Sequence, residues 1–295
     1  MNSNFIDSES KLNYFERLII NNGSSPSLFI EQYLKGSGNE LAQKFWSIKS
    51  SSRLCFDLYS WLCNEKGVSN FEFEKQLPKI NIGKKQSSPP NIDVYFEYHD
   101  KIVFIESKYT EQDKWKYKND KNLSGAYWDT NPEGYKSCKY TIEKRFYDNK
   151  FIADKFSYFC EQVQECIDIH KKEEKDKYSW FDPKQETCHL FGIIFYVINN
   201  GIKDKDIYLC NNVWECQNDS FIIENSIVAE FKRLAENMLN ELFKENNCKF
   251  KFEVNKIQDI LSNGFMGFNF TEAKLFAKEE KVKDFIEENY QYRKR

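Results

Sequence analysis

The feature that most constrains the fold is a change of period in the middle of the chain. Ile92–Tyr98 (IDVYFEY) alternates apolar and polar residues and is rich in β-formers. Ile102–Tyr109 (IVFIESKY) opens as a near-continuous apolar run, the pattern of a strand buried on both faces. Only His99-Asp100-Lys101 lies between them, so a hairpin is the natural reading. The turn contains no glycine, which leaves its type unspecified.

On either side the period is helical. Ser25-Pro26-Ser27 reads as a helix start, Leu28–Leu34 carries apolar residues at helical spacing, and Gly36-Ser37-Gly38 stops it. Glu40–Trp46 is expected to be helical. Ser50-Ser51-Ser52 can cap a further helix whose apolar face is Leu54, Cys55, Leu58, Trp61 and Leu62. Phe71–Phe73 suggests a short strand. Phe151–His170 reads as a helix with Phe156, Phe159, Cys160, Val163 and Ile167 inward. Leu190–Ile198 (LFGIIFYVI) is the strongest buried-strand candidate. A long amphipathic helix over Ile223–Phe243, a strand at Phe250–Val254 and a terminal helix at Lys281–Tyr290 complete the order, which is that of an α/β fold. Ile82–Pro90 and Glu111–Asn149 read as loops feeding the core. The expectation is one domain over 1–295, with a core at about 38–199 and an elaboration of unassigned role at 200–295.

Composition narrows the class. Of 295 residues, 40% are apolar, 17% aromatic and 30% charged, which fits a folded chain with an aromatic core and not a disordered one. The longest apolar stretch is about half of what a membrane span needs. The polar, acidic N-terminus does not resemble a signal peptide, so a cytoplasmic protein with no membrane partner is expected. A net charge of −3 excludes a strongly basic DNA-coating protein but leaves room for a local basic patch. The nine cysteines are odd in number and never spaced C-x-x-C, which argues for reduced thiols and against a zinc ribbon. Three histidines are too few for a His-rich metal site.

The residues that carry chemistry are Asp93, Glu106 and Lys108. Glu106 and Lys108 are two apart on a strand and share a face. If the loop is His99-Asp100, Asp93 falls opposite Glu106; if it is Asp100-Lys101, Asp93 falls opposite Lys108. Either register puts Asp93 on that same face. Two carboxylates about 5 Å apart repel one another, and at an apolar strand end they need compensation. A divalent cation compensates them, with Lys108 adding positive charge. Two carboxylates and a backbone carbonyl suit Mg²⁺, and such a site suits a phosphodiester. Glu-x-Lys also occurs at Glu9/Lys11, Glu173/Lys175, Glu230/Lys232, Glu272/Lys274 and Glu279/Lys281, where a solvated surface pair is the simplest reading.

Ile92-Asp93 followed by Glu106-Ser107-Lys108 resembles the motif of the PD-(D/E)XK, or restriction-endonuclease-like, nuclease superfamily. The usual Pro-Asp is here Asn91-Ile92-Asp93, with Pro89-Pro90 just before it. The resemblance implies a restriction-endonuclease-like α/β core, a mixed central sheet flanked by helices. It implies Asp93 and Glu106 as ligands of Mg²⁺ or Mn²⁺, the Ser107 carbonyl as a third, and Lys108 as the catalytic lysine. Some members carry a further acid on the N-terminal helical part, for which Glu40 is the candidate here. Glu106–Glu111 also resembles proteins of this fold associated with phage defence. The expected activity is hydrolysis of nucleic acid, DNA before RNA, with a homodimer or a defence-system partner protein in view. The competing expectations are a catalytically inactive nucleic-acid-binding subunit of the same fold and a protein-interaction scaffold.

Lys114, Trp115, Lys116 and Lys118 interleave cations and aromatics just beyond the Glu-x-Lys strand, a pattern suited to phosphates and bases. Gln164, on the later helix, is a further candidate for a polar contact to substrate, against the alternative of a solvated face.

Overall fold

The computed structural model describes residues 26–35, 45, 50–78, 89–108, 123, 129–130, 136–137, 150–173, 180–214 and 226–270. The hairpin lies within a five-stranded mixed sheet. Its strands are β1 (Val68–Gln76), β2 (Asn91–Tyr98), β3 (Lys101–Lys108), β6 (Asp206–Val213) and β7 (Lys249–Lys256), adjacent in that order. β2 runs antiparallel to β1 and β3, whereas β3, β6 and β7 are parallel. The two-residue strands β4 (Asp129–Thr130) and β5 (Lys136–Ser137) pair separately. The loop is His99-Asp100, since Tyr98 pairs with Lys101. His99 takes a left-handed φ of 53° in place of the glycine such two-residue turns favour, and Lys205 Nζ donates to its carbonyl at 2.7 Å.

Helices cover both faces. On one lie α1 (Pro26–Lys35), α2 (Ser51–Tyr59) and α6 (Ile257–Asn263), packed with Phe73, Val94, Phe96, Val103 and Ile105. Ser50 caps α2 as its sequence suggests, its hydroxyl accepting from the Arg53 N–H at 3.1 Å. On the other face lie α3 (Lys150–Glu173), α4 (Pro183–Asn199) and α5 (Ser226–Leu242), packed with Ile102, Phe104, Ile207 and Leu209. The inward positions expected on α3 are all buried, and Phe156 stacks on Phe191 of α4 at 4.2 Å. The strand expected at Phe250–Val254 is β7, and the helix expected over Ile223–Phe243 is α5. Most of Glu40–Trp46 and all of Lys281–Tyr290 lie outside the described residues. None of the described helices is long and apolar enough to cross a membrane.

The strand expected at Leu190–Ile198 is a correction: it is the second half of α4. A continuous apolar run does not distinguish a buried strand from a buried helix. Here Asp182-Pro183 decides it, because the Asp182 carboxylate accepts from the Lys184 and Gln185 N–H groups at 3.0 and 3.2 Å and Pro183 opens the first turn. The strand after the hairpin is instead β6, whose buried Asn211 and Asn212 break its apolar pattern in the sequence. The sheet therefore continues past residue 199 into β6 and β7.

Candidate active site

Glu106 and Lys108 end β3 and face the α4 side. They are only 5% and 4% exposed, so each charge needs a partner. Lys108 Nζ donates to Glu106 Oε1 and to Gln185 Oε1, both at 2.7 Å, and Gln185 Nε2 donates to the same Glu106 oxygen at 2.7 Å. The three side chains close a ring that fixes the carboxylate and the ammonium together. Gln185 stands in the first turn of α4, which the Asp182 cap holds in place. The strand expectation at Leu190–Ile198 left the turn that carries Gln185 unassigned; the Asp182-Pro183 start signal points to it.

Asp93 reaches the same place by a different route from simple alternation. Ile92 and Val94 are two apart, yet Ile92 packs with Ile102 and Phe104 while Val94 packs with Val103 and Ile105 on the opposite face. The alternation slips at Asp93. In the neighbouring strand Glu74 lies between the pairs Phe73↔Val94 and Lys75↔Ile92 and has φ of 50°, so the irregularity spans both strands at one level. The paired positions of β2 and β3 run only to Val94↔Ile105. Past them the Asp93 carboxylate accepts from the Ser107 backbone N–H at 2.7 Å. The structure thus brings Asp93, Glu106, Ser107 and Lys108 to one strand end, with Glu74 beside them.

The electrostatics are those of excess negative charge. Burial first, then Glu106 and Glu74, push the Asp93 carboxyl well above its ordinary range; the Ser107 N–H and Lys108 act the other way without prevailing. Burial, helped by Asp93, also pushes up the Cys55 thiol. Behind Glu106 lies buried His189, its Nε2 3.8 Å from Glu106 Oε2 and its Nδ1 3.9 Å from Glu186 Oε2. Burial favours neutral His189, but Glu106 and Glu186 outweigh it and its pKa is raised.

Other expectations fall elsewhere. Glu40, Lys114, Trp115, Lys116 and Lys118 lie outside the described residues. Gln164 ties two parts of the chain together, its Oε1 accepting from the Leu123 N–H at 3.1 Å and its Nε2 donating to Asp168 at 3.0 Å. Among the described residues no group of three or more His, Cys, Asp or Glu side chains is placed to hold a metal ion. At the β3 end the Asp93 and Glu106 carboxylates lie beside the Ser107 backbone.

No curated protein and no solved structure matches the chain. Residues 30–163 match the model of a family described as Restriction Endonuclease associating with ARP. That span contains α2, β1, the hairpin and Asp93, Glu106 and Lys108. The match covers less than half of the chain, and the mixed five-stranded sheet flanked by helices is consistent with a restriction-endonuclease-like core.

Proposed function

We propose that the chain is a metal-dependent nuclease that hydrolyses phosphodiester bonds, with DNA as the preferred substrate. The observation that carries this reading is the buried Lys108–Glu106 pair, locked by Gln185, with Asp93 on the next backbone N–H. Lys108 acts on Asp93 against two further carboxylates, Glu106 and Glu74. A hard divalent cation is the partner such oxygen donors fit. Asp93, Glu106 and the Ser107 carbonyl would hold Mg²⁺ or Mn²⁺. Once bound, the ion supplies Lewis-acid polarisation of a phosphoryl oxygen and acidifies water. Lys108 orients the attacking water and offsets negative charge that grows on the phosphoryl group. Gln185 holds the lysine in register with Glu106. The same reading takes nucleic acid as the partner, places the activity in phage defence, and allows a second copy of the chain or an ARP-type partner to complete the assembly.

The test is cleavage of linear, circular and single-stranded DNA and of RNA, with and without Mg²⁺ or Mn²⁺. Wild type should cut only with metal. Lys108→Ala should lower the rate by about 10²–10⁴-fold and leave DNA binding largely intact. Mn²⁺ should raise the melting temperature of wild type, and Glu106→Gln should remove the gain. A second reading, a nucleic-acid-binding subunit without catalysis, draws on the lack of a three-residue ligand group among the described residues. It prevails if wild type binds DNA, gains no stability from Mn²⁺ and never cuts.

A further inference from the structure

One helix, α4, faces both oxygens of the Glu106 carboxylate. Gln185 donates to Oε1, and one turn later His189 faces Oε2. Glu186, between them, is fully buried and accepts from Asn211 Nδ2 at 3.1 Å. Asn211 is the residue of β6 that pairs in register with Glu106 of β3. Glu106, His189, Glu186 and Asn211 therefore form one contiguous buried cluster built from β3, β6 and α4. Within it, Glu186 Oε1, His189 Nδ1 and Asn211 Oδ1 have no hydrogen-bond partner among the described residues. Leaving buried polar atoms so placed is unfavourable, and an apolar trio would pack there without that cost.

We propose that Glu186, His189 and Asn211 are a positioning network for Glu106. His189 steadies the second oxygen of Glu106, and Glu186, anchored by Asn211, sets the orientation of the imidazole. None of the three touches substrate. The network rests on the reading of Glu106 as a metal ligand, because its purpose is to keep one carboxylate in one rotamer while its charge is being used. Residues that orient a ligand from behind typically change metal affinity or activity about 10–100-fold when removed.

The experiment uses the full chain as wild type, His189→Ala, His189→Gln, Glu186→Gln and Asn211→Leu. Mn²⁺ affinity is measured by calorimetry, DNA cleavage by kcat and KM, and thermal melting without metal. A crystal structure of metal-free His189→Ala completes the set. His189→Ala should weaken Mn²⁺ binding and lower kcat by about tenfold or more with KM unchanged. Its Glu106 side chain should leave the wild-type rotamer, and His189→Gln, which keeps an N–H near Oε2, should recover part of the loss. Lower melting temperatures with unchanged Mn²⁺ affinity and an unmoved Glu106 would overturn the network and leave the nuclease reading standing. If wild type neither binds Mn²⁺ nor cuts, the nuclease reading falls. The rotamer of Glu106 in metal-free His189→Ala then decides the positioning role: movement supports it and a fixed side chain ends it.

Discussion

Lys108 and Glu106 differ by their burial from Glu230 and Lys232, the other Glu-x-Lys among the described residues, and burial changes what a substitution does. Removing one member of a buried pair leaves the other uncompensated, at a cost of several kcal/mol. Lys108→Met is therefore expected to lower stability by about 3 kcal/mol, and the double variant Glu106→Gln with Lys108→Met to recover a good part; urea unfolding of both checks this. Asp93 behaves in the opposite sense. Its folded carboxyl holds a proton more tightly than the unfolded one, so its contribution to stability is fully present below the unfolded pKa and is lost as pH rises through the folded value. Without metal, Asp93→Asn should raise the melting temperature at pH 8 by a few degrees, roughly what a 1 kcal/mol gain gives, and the gain should shrink toward pH 4. An unchanged or lower melting temperature at pH 8 would mean that the neighbouring carboxylates do not burden Asp93. The charged trio was legible as residues. The slip at Asp93 was not, because it depends on the φ of Glu74 in the next strand, which nothing in the local pattern specifies.

At the scale of elements, α4 decides whether there is a site at all, since it carries Gln185, Glu186 and His189 to the end of β3. It lies close over the start of the hairpin. A Cβ added at Gly192 would meet Leu77 Cβ at 2.7 Å and Pro90 Cγ at 2.9 Å. Helix propensity alone favours alanine over glycine by about 1 kcal/mol. Contact with a neighbouring Cβ, which cannot swing aside, should reverse the sign. Gly192→Ala is thus expected to destabilise by about 1–3 kcal/mol and to slow cleavage by displacing Gln185. Equal or higher stability in denaturant would show that the helix has room to move. The sequence contained the start signal for α4 in Asp182-Pro183, and the apolar run behind it matched a strand equally well. Its helical form follows from that cap and from contacts with α3 and α5, which are not local properties.

Over the whole molecule, helices protect the outer strands of the main sheet. At β1, the Phe73 N–H donates to Gln32 Oε1 of α1 at 2.9 Å. At β7, Asn240 of α5 accepts from the Phe250 N–H at 2.7 Å and donates to the Phe250 carbonyl at 3.1 Å, while Glu236 accepts from the Phe252 N–H at 3.0 Å. Side chains here occupy the backbone groups through which an edge strand recruits another chain. Asn240→Leu should lower stability by about 1–2 kcal/mol and make light scattering rise with protein concentration. A variant that stays monodisperse would show that the edge is guarded by other means.

From the sequence alone came the α/β class, the hairpin and the identity of the acid–acid–lysine set at its end, because period and charge are local and alternation along β3 puts Glu106 and Lys108 on one face. Tertiary structure decided the rest. It made Leu190–Ile198 a helix, recruited β6 despite its asparagines, turned Asp93 onto the Ser107 N–H and placed Gln185 against Glu106 and Lys108. Apart from the local cap that opens α4, each of these depends on a contact between segments far apart in the chain. Their energies belong to the packed assembly of sheet and helices, and no window of neighbouring residues contains them.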